Sequence, residues 1–163
     1  PYRGCLYVGL MINLDGAPNV VEYNVRFGDP ETQVTLPLIS SDLGELLMSC
    51  AQGQISNYNF TTYSHSSATV VLASEGYPSK SITGRNIIGA DTSIEEGEIR
   101  AFIHHAGTST SASGELISDG GRVLAATGIA PDLSTAIEAA YEVIRNVKLT
   151  GSHYRSDIGH RGL

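Results

Sequence analysis

Glu22, Asn24 and Arg26 alternate along the run Val21-Glu22-Tyr23-Asn24-Val25-Arg26-Phe27-Gly28-Asp29-Pro30-Glu31-Thr32-Gln33. An extended chain sends successive side chains to opposite faces, so these three share one face. Val21, Tyr23, Val25 and Phe27 share the other. Same-face positions recur roughly every 6.6 Å. A carboxylate and an amide oxygen at that spacing suit a hard divalent ion beside a phosphate, and a guanidinium beside them suits an oxyanion. Magnesium keeps several waters and takes only one or two protein oxygens, so Glu22 and Asn24 are candidate metal ligands. The run breaks at Gly28-Asp29-Pro30, where proline cannot donate to a ladder and the backbone must turn. The pattern predicts a chemical face backed by an apolar one, ending at a loop. An isolated Glu-x-Asn-x-Arg also fits an ordinary solvated strand face.

The elements that would hold these residues can be read around them. Leu6 to Asn13 and Asn19 to Phe27 predict a β-hairpin through Asp15-Gly16. The first strand carries no carboxylate before Asp15; Tyr7 and Gly9 lie where a second acidic ligand could stand. A short helical turn and loop is expected from Pro30 to Leu38. Ser41-Asp42 would cap a helix through Ala51, with Leu43, Leu46, Leu47 and Cys50 on one face and Gly53 as its stop. Further on, Ala68 to Ala73 and Ile99 to His104 predict strands. Glu115 to Ser118 and Arg122 to Ile129 predict a second hairpin around Asp119-Gly120-Gly121, and Thr108 to Ser113 a Ser-rich mobile loop. A helix from about Ser134 to Val147, capped by Asp132 or Ser134, carries an apolar stripe of Ile137, Ala140, Tyr141, Ile144 and Val147. The expected fold class is α+β, an antiparallel hairpin plus helix followed by a small α+β domain with an antiparallel-rich sheet.

The long string around Arg26 closely resembles the metal-binding strand of the phosphoribosylamine–glycine ligase (glycinamide ribonucleotide synthetase) family, within the ATP-grasp superfamily. Tyr2-Arg3-Gly4, Leu6-Tyr7 and Gly9-Leu10-Met11 resemble the strand before it, and Ser41-Asp42-Leu43 the helix after it. Ala73-Ser74, Gly76-Tyr77-Pro78, His105-Ala106-Gly107-Thr108, Gly120-Gly121-Arg122-Val123-Leu124, Tyr154-Arg155 and Asp157-Ile158-Gly159 follow in the family's order. The resemblance implies residues 1–62 as the C-terminal remnant of an ATP-grasp domain and 63–163 as the family's C-terminal domain. Because family members are more than twice this length, the chain reads as the C-terminal portion of such an enzyme. The missing N-terminal portion of the same enzyme would then be its partner.

What the resemblance implies about chemistry is specific. Glu22 and Asn24 would hold Mg²⁺ or Mn²⁺, helped by nucleotide phosphates and water, with ATP as co-substrate. Glycine and 5-phosphoribosylamine would be joined through a glycyl phosphate to give glycinamide ribonucleotide, ADP and phosphate, in cytoplasmic de novo purine synthesis. Arg26 would be catalytic and substrate-binding, its planar fork steadying charge on the transferring phosphoryl group; an ion pair with Asp29 or Glu31 is the competing reading. Asp29 would contact a substrate amine, or cap the turn that follows it. The rival functions are another ATP-grasp carboxylate-amine ligase and a non-catalytic packing module. His105 reads as a hydrogen-bonded structural histidine, and Gly120-Gly121-Arg122 as a tight hairpin turn rather than a phosphate cradle. The charged tail of Arg155, Asp157, His160 and Arg161 reads as a latch between domains.

Composition sets the outer bounds. The 163 residues are 41% hydrophobic and 17% charged, with 18 glycines and a net charge of -7. No Lys/Arg cluster forms a phosphate-tracking stripe, so a nucleic-acid partner has little support. No apolar run approaches the roughly 20 residues that cross a bilayer, and no signal peptide is visible. Cys5 and Cys50 make neither a disulfide framework nor a zinc pattern, as expected of reduced cysteines in a cytoplasmic protein.

Overall fold

Residues 1–163 are all described by a computed structural model. Their contacts divide the chain into two units: residues 1–32 with 39–63, and residues 33–38 with 64–163.

The smaller unit begins with the hairpin. β1 (Tyr7–Ile12) pairs antiparallel with β2 (Pro18–Asn24). Asp15 Oδ1 accepts from the Ala17 amide at 3.0 Å, and Gly16 takes the left-handed conformation that the turn needs. The register slips between Gly9 and Leu10, leaving Val21 as an extra residue in β2. β2 ends at Asn24 rather than continuing to Phe27 as expected, so Val25 and Arg26 occupy a bend. The expected apolar backing is also absent within this unit. Val21, Tyr23 and Val25 are 64–71% exposed, because a two-stranded hairpin supplies no second layer and the bulge at Val21 interrupts strict alternation.

α1 (Glu31–Thr35) runs into a 3-10 turn at Leu36–Leu38, as the reading of Pro30 to Leu38 anticipated. In α2 (Leu43–Gln52) the Asp42 carboxylate accepts from the Glu45 amide at 2.8 Å, and Gly53 closes the helix at φ 74°. Leu43, Leu46 and Cys50 are half-buried, but Leu47 is exposed and the helix buries no residue fully.

The larger unit contains the core. β3 (Ser66–Ala73), β5 (Ile99–His105) and β8 (Arg122–Ala130) form an antiparallel sheet with the short β4 (Ile94–Glu96), in the order β3-β8-β5-β4. β8 is central, and every residue from Val123 to Ala130 is buried. α3 (Leu133–Arg145) packs on one face of this sheet, burying Ala136, Ile137, Ala139, Ala140, Val143 and Ile144. Asp132 caps it, accepting from the Thr135 amide at 2.9 Å. The helix approaches β8 closely because Gly128 has no Cβ; one built there would meet the Ala136 carbonyl and lie 2.8 Å from the Ala140 nitrogen. Buried hydroxyls occur among the apolar residues with their bonds made: Thr69 Oγ1 and Thr127 Oγ1 lie 2.9 Å apart, and Thr127 donates to the Gln33 carbonyl at 3.2 Å.

The expected second hairpin does not form. β7 (Leu116–Ser118) pairs instead with β6 (Thr108–Thr110), inside the segment read as a mobile loop. Both sides of the nine-residue β8 are taken by β3 and β5, so neither edge is open to β7. The Asp119-Gly120-Gly121 segment therefore turns a corner between sheets. It is pinned by Asp119 N donating to Gly107 O at 2.7 Å and Ser74 N donating to Gly121 O at 2.9 Å. The α+β class and the antiparallel sheet agree with the sequence reading. No helix is long and apolar enough to cross a membrane.

Candidate functional site

Register places the candidate metal residues against specific partners. Glu22 lies opposite Gly9 and Asn24 opposite Tyr7, the two positions without carboxylates noted in the sequence. Asn24 Nδ2 donates to Glu22 Oε1 at 3.0 Å, so the two side chains share one face and touch. That bond occupies the amide nitrogen and one carboxylate oxygen, leaving Asn24 Oδ1 and Glu22 Oε2 as hard oxygen donors. Glu22 is exposed and Asn24 half-buried. Nowhere in the chain do three or more His, Cys, Asp or Glu side chains converge as a metal-holding group. The donor set therefore fits an ion that keeps much of its own hydration, as magnesium does, better than one needing an all-protein cage.

Beyond the end of β2, Arg26 is exposed, and its Nη1 donates to the Phe27 carbonyl at 2.7 Å. This bond uses one donor of five and directs the guanidinium at the bend. Asp29 is exposed and precedes α1. At the entry to that helix, Thr32 bonds the Gly28 carbonyl through both its amide, at 3.2 Å, and its hydroxyl, at 2.5 Å.

Two residues tie this region together that the sequence did not single out as a pair. Tyr7 Oη donates to Glu31 Oε1 at 3.2 Å, linking the partner of Asn24 in β1 to the start of α1. The Glu31 charge foremost, then burial, the hydrogen bond and the Glu22 charge, raise the Tyr7 phenol above its ordinary pKa. The signal in the sequence was Tyr7 standing where an acidic ligand could be; its reach to Glu31 depends on where the chain turns.

Other singled-out residues are placed elsewhere. His105 Nδ1 lies 3.2 Å from Thr108 Oγ1, matching the structural reading. His104, on the opposite face of β5, sets its ring edge-on to Phe102 at 5.0 Å; burial lowers its pKa, and its Nε2 is buried without a hydrogen-bond partner. Gly121 does not lie in a hairpin turn. A Cβ there would strike the Tyr77 ring, so the glycine serves close packing.

Comparison with known proteins adds an independent line. The description "Phosphoribosylglycinamide synthetase, C domain" matches residues 67–161, and "Phosphoribosylglycinamide synthetase, ATP-grasp (A) domain" matches residues 1–32. The chain belongs to the phosphoribosylglycinamide synthetase family. A phosphoribosylamine–glycine ligase from Nostoc sp. is 44% identical over 98% of this chain, which spans 37% of that protein. A trifunctional purine biosynthetic protein from Gallus gallus is 44% identical over the whole chain, which spans 16% of it. The crystal structure of the phosphoribosylamine–glycine ligase from Thermotoga maritima superposes with a TM-score of 0.76 at 36% identity, covering 93% of this chain and 36% of that one. The chain thus spans well under half the length of these relatives. Within the phosphoribosylglycinamide synthetase family, Glu22, Asn24, Arg26 and Asp29 all lie in the stretch that matches the ATP-grasp domain.

Proposed function

We propose that this chain is the C-terminal portion of an ATP-dependent ligase that joins glycine to 5-phosphoribosylamine, in cytoplasmic purine biosynthesis. Residues 1–62 are the closing part of its ATP-grasp domain and 63–163 its C-terminal domain. The remaining part of the enzyme supplies most of the nucleotide cleft. A carboxylate is too poor an electrophile for an amine, so the reaction needs activation. A glycine carboxylate oxygen attacks the γ-phosphorus of ATP and ADP leaves, giving glycyl phosphate. The amine nitrogen then attacks the acyl carbon, phosphate departs, and the amine loses a proton.

Glu22 and Asn24 would hold Mg²⁺ or Mn²⁺ through the oxygens that their mutual bond leaves free. When bound, the ion neutralises charge on the phosphates and the transferring phosphoryl group. Arg26, directed by its bond to Phe27 O, presents its remaining donors to the developing oxyanion. Asp29, exposed ahead of α1, accepts from a substrate amine. The observation that carries this reading is the Glu22–Asn24 contact on one strand face, within a stretch related to ATP-grasp ligases.

The test uses the full-length parent enzyme. Glu22→Gln and Asn24→Ala should each lower ATP-dependent ligation by at least about 10²-fold while leaving the melting temperature within a few degrees. Excess Mg²⁺ should partly restore the weaker variant. Parental turnover in both would remove these residues from the metal site.

A further inference from the structure

The loop that carries Arg26 and Asp29 lies outside regular structure, since β2 ends at Asn24 and α1 begins at Glu31. Such a loop aims its side chains only as well as its own backbone is held. At the upstream end, Tyr2 Oη lies 2.8 Å from the Cys5 carbonyl and 3.2 Å from the Val25 carbonyl. At the downstream end, the Gly28 carbonyl accepts from both the amide and the hydroxyl of Thr32. The Glu31 carboxylate lies directly over Gly28. A Cβ on Gly28 would stand 2.5 Å from Glu31 Oε2 and 3.0 Å from Glu31 Cβ. Gly28 is not in the left-handed region, so what the position requires is the absence of a side chain.

Glu31 is held in turn from the hairpin. Its Oε1 accepts from Tyr7 Oη at 3.2 Å, and Tyr7 stands on β1 opposite Asn24. The strand fixes the tyrosine, the phenol fixes one oxygen of Glu31, and the other oxygen rests against the Gly28 backbone. Arg26 Nη1 donates to the Phe27 carbonyl, so the direction of the guanidinium follows the backbone next to Gly28. The bond between Glu22 and Asn24 closes within β2 and needs neither Tyr7 nor Glu31.

We infer that Tyr7 and Glu31 are positioning residues, whose hydrogen bond sets the backbone at Gly28 and through it the aim of Arg26 and Asp29. The clamp itself stands on geometry. What it serves, the chemistry of Arg26, rests on the ligase reading.

The experiment uses the full-length parent enzyme. A misplacement of about 1 Å can cost on the order of 10²-fold in rate, so Tyr7→Phe should lower kcat by at least about tenfold. Its melting temperature should stay within a few degrees of the parent, and KM for ATP should stay near the parental value, because the metal strand is undisturbed. Glu31→Gln keeps an acceptor oxygen for Tyr7 and should retain more activity than Glu31→Ala. In an Arg26→Lys background, Tyr7→Phe should cost less than in the parent, since the fork it aims is already gone. Hydrogen exchange at residues 28–32 should quicken in Tyr7→Phe. Parental kcat in Tyr7→Phe beside a slow Arg26→Lys would overturn the positioning role alone. So would an undiminished loss in the Arg26→Lys background, or unchanged exchange at residues 28–32. Parental kcat in Arg26→Lys would sink the ligase site and take the positioning role with it.

Discussion

Replacing Gly128 with alanine adds one methyl group at the tightest approach in the larger unit. The new Cβ would collide with the Ala136 carbonyl and lie 2.8 Å from the Ala140 nitrogen and 3.1 Å from the Ala136 carbonyl carbon. Carbon contacts are comfortable at roughly 3.5–4.0 Å, so α3 must retreat by about 1 Å. The obstacles are helix backbone, which no rotamer change can move aside. A retreat of that size forfeits a quarter to a half of the dispersion attraction across the gap, felt by Val143 and Ile144 among the buried residues of α3. Overpacking of this kind costs about 1–3 kcal/mol, and backbone obstacles place it near the upper end. Removing glycine's chain entropy offsets about 0.5–1 kcal/mol, leaving a net loss of about 2 kcal/mol. For a unit near 100 residues, each 1 kcal/mol moves the melting temperature by roughly 4–8 °C, so the expected drop is about 8–16 °C. Differential scanning calorimetry would measure it, with amide exchange in β8 identifying the transition as that of the larger unit. An unchanged or raised melting temperature, with β8 amides as protected as before, would refute the close-approach argument.

In the full-length parent enzyme, Arg26→Lys should melt within a few degrees of the parent yet lose on the order of 10²–10³ in kcat, because lysine keeps the charge without the fork. Normal kcat with a markedly lowered melting temperature would make Arg26 structural. Asp132 has its pKa lowered by the Thr135 amide bond, then the Thr135 hydroxyl bond, so its capping contribution should be complete above its ordinary value of 3.8. That contribution should fade as pH falls through the lower folded value; Asp132→Ala should remove it, and identical acid titrations of melting temperature for parent and variant would contradict the cap. The purified 163-residue chain should make no glycinamide ribonucleotide from ATP, glycine and phosphoribosylamine, and measurable turnover free of full-length enzyme would overturn the fragment reading.

Much of the local architecture is determined by short-range chemistry legible in the sequence. Asp15-Gly16 makes its turn, Asp42 and Gly53 bound α2, and Asp132 opens α3, because caps and turns are decided within four or five residues. The alternation of Glu22 and Asn24 likewise placed them on one face, where they meet at 3.0 Å. The assignment of strands to sheets was not legible. Glu115 to Ile129 has the local pattern of a hairpin, yet β8 pairs along its length with β3 and β5, while polar β6 takes β7. β4 was missed because its Ile-Glu-Glu stretch is too short to show a period. Tertiary structure also decided that β2 stops at Asn24 and that Tyr7 reaches Glu31. In the tail, Arg155, Asp157, His160 and Arg161 look like one cluster of charge when read in order. In the structure Arg155 and Asp157 pair at 2.6 Å, Tyr141 bonds the Arg155 carbonyl from α3, and Arg161 has no partner carboxylate, because pairing depends on distances that spacing along the chain does not fix.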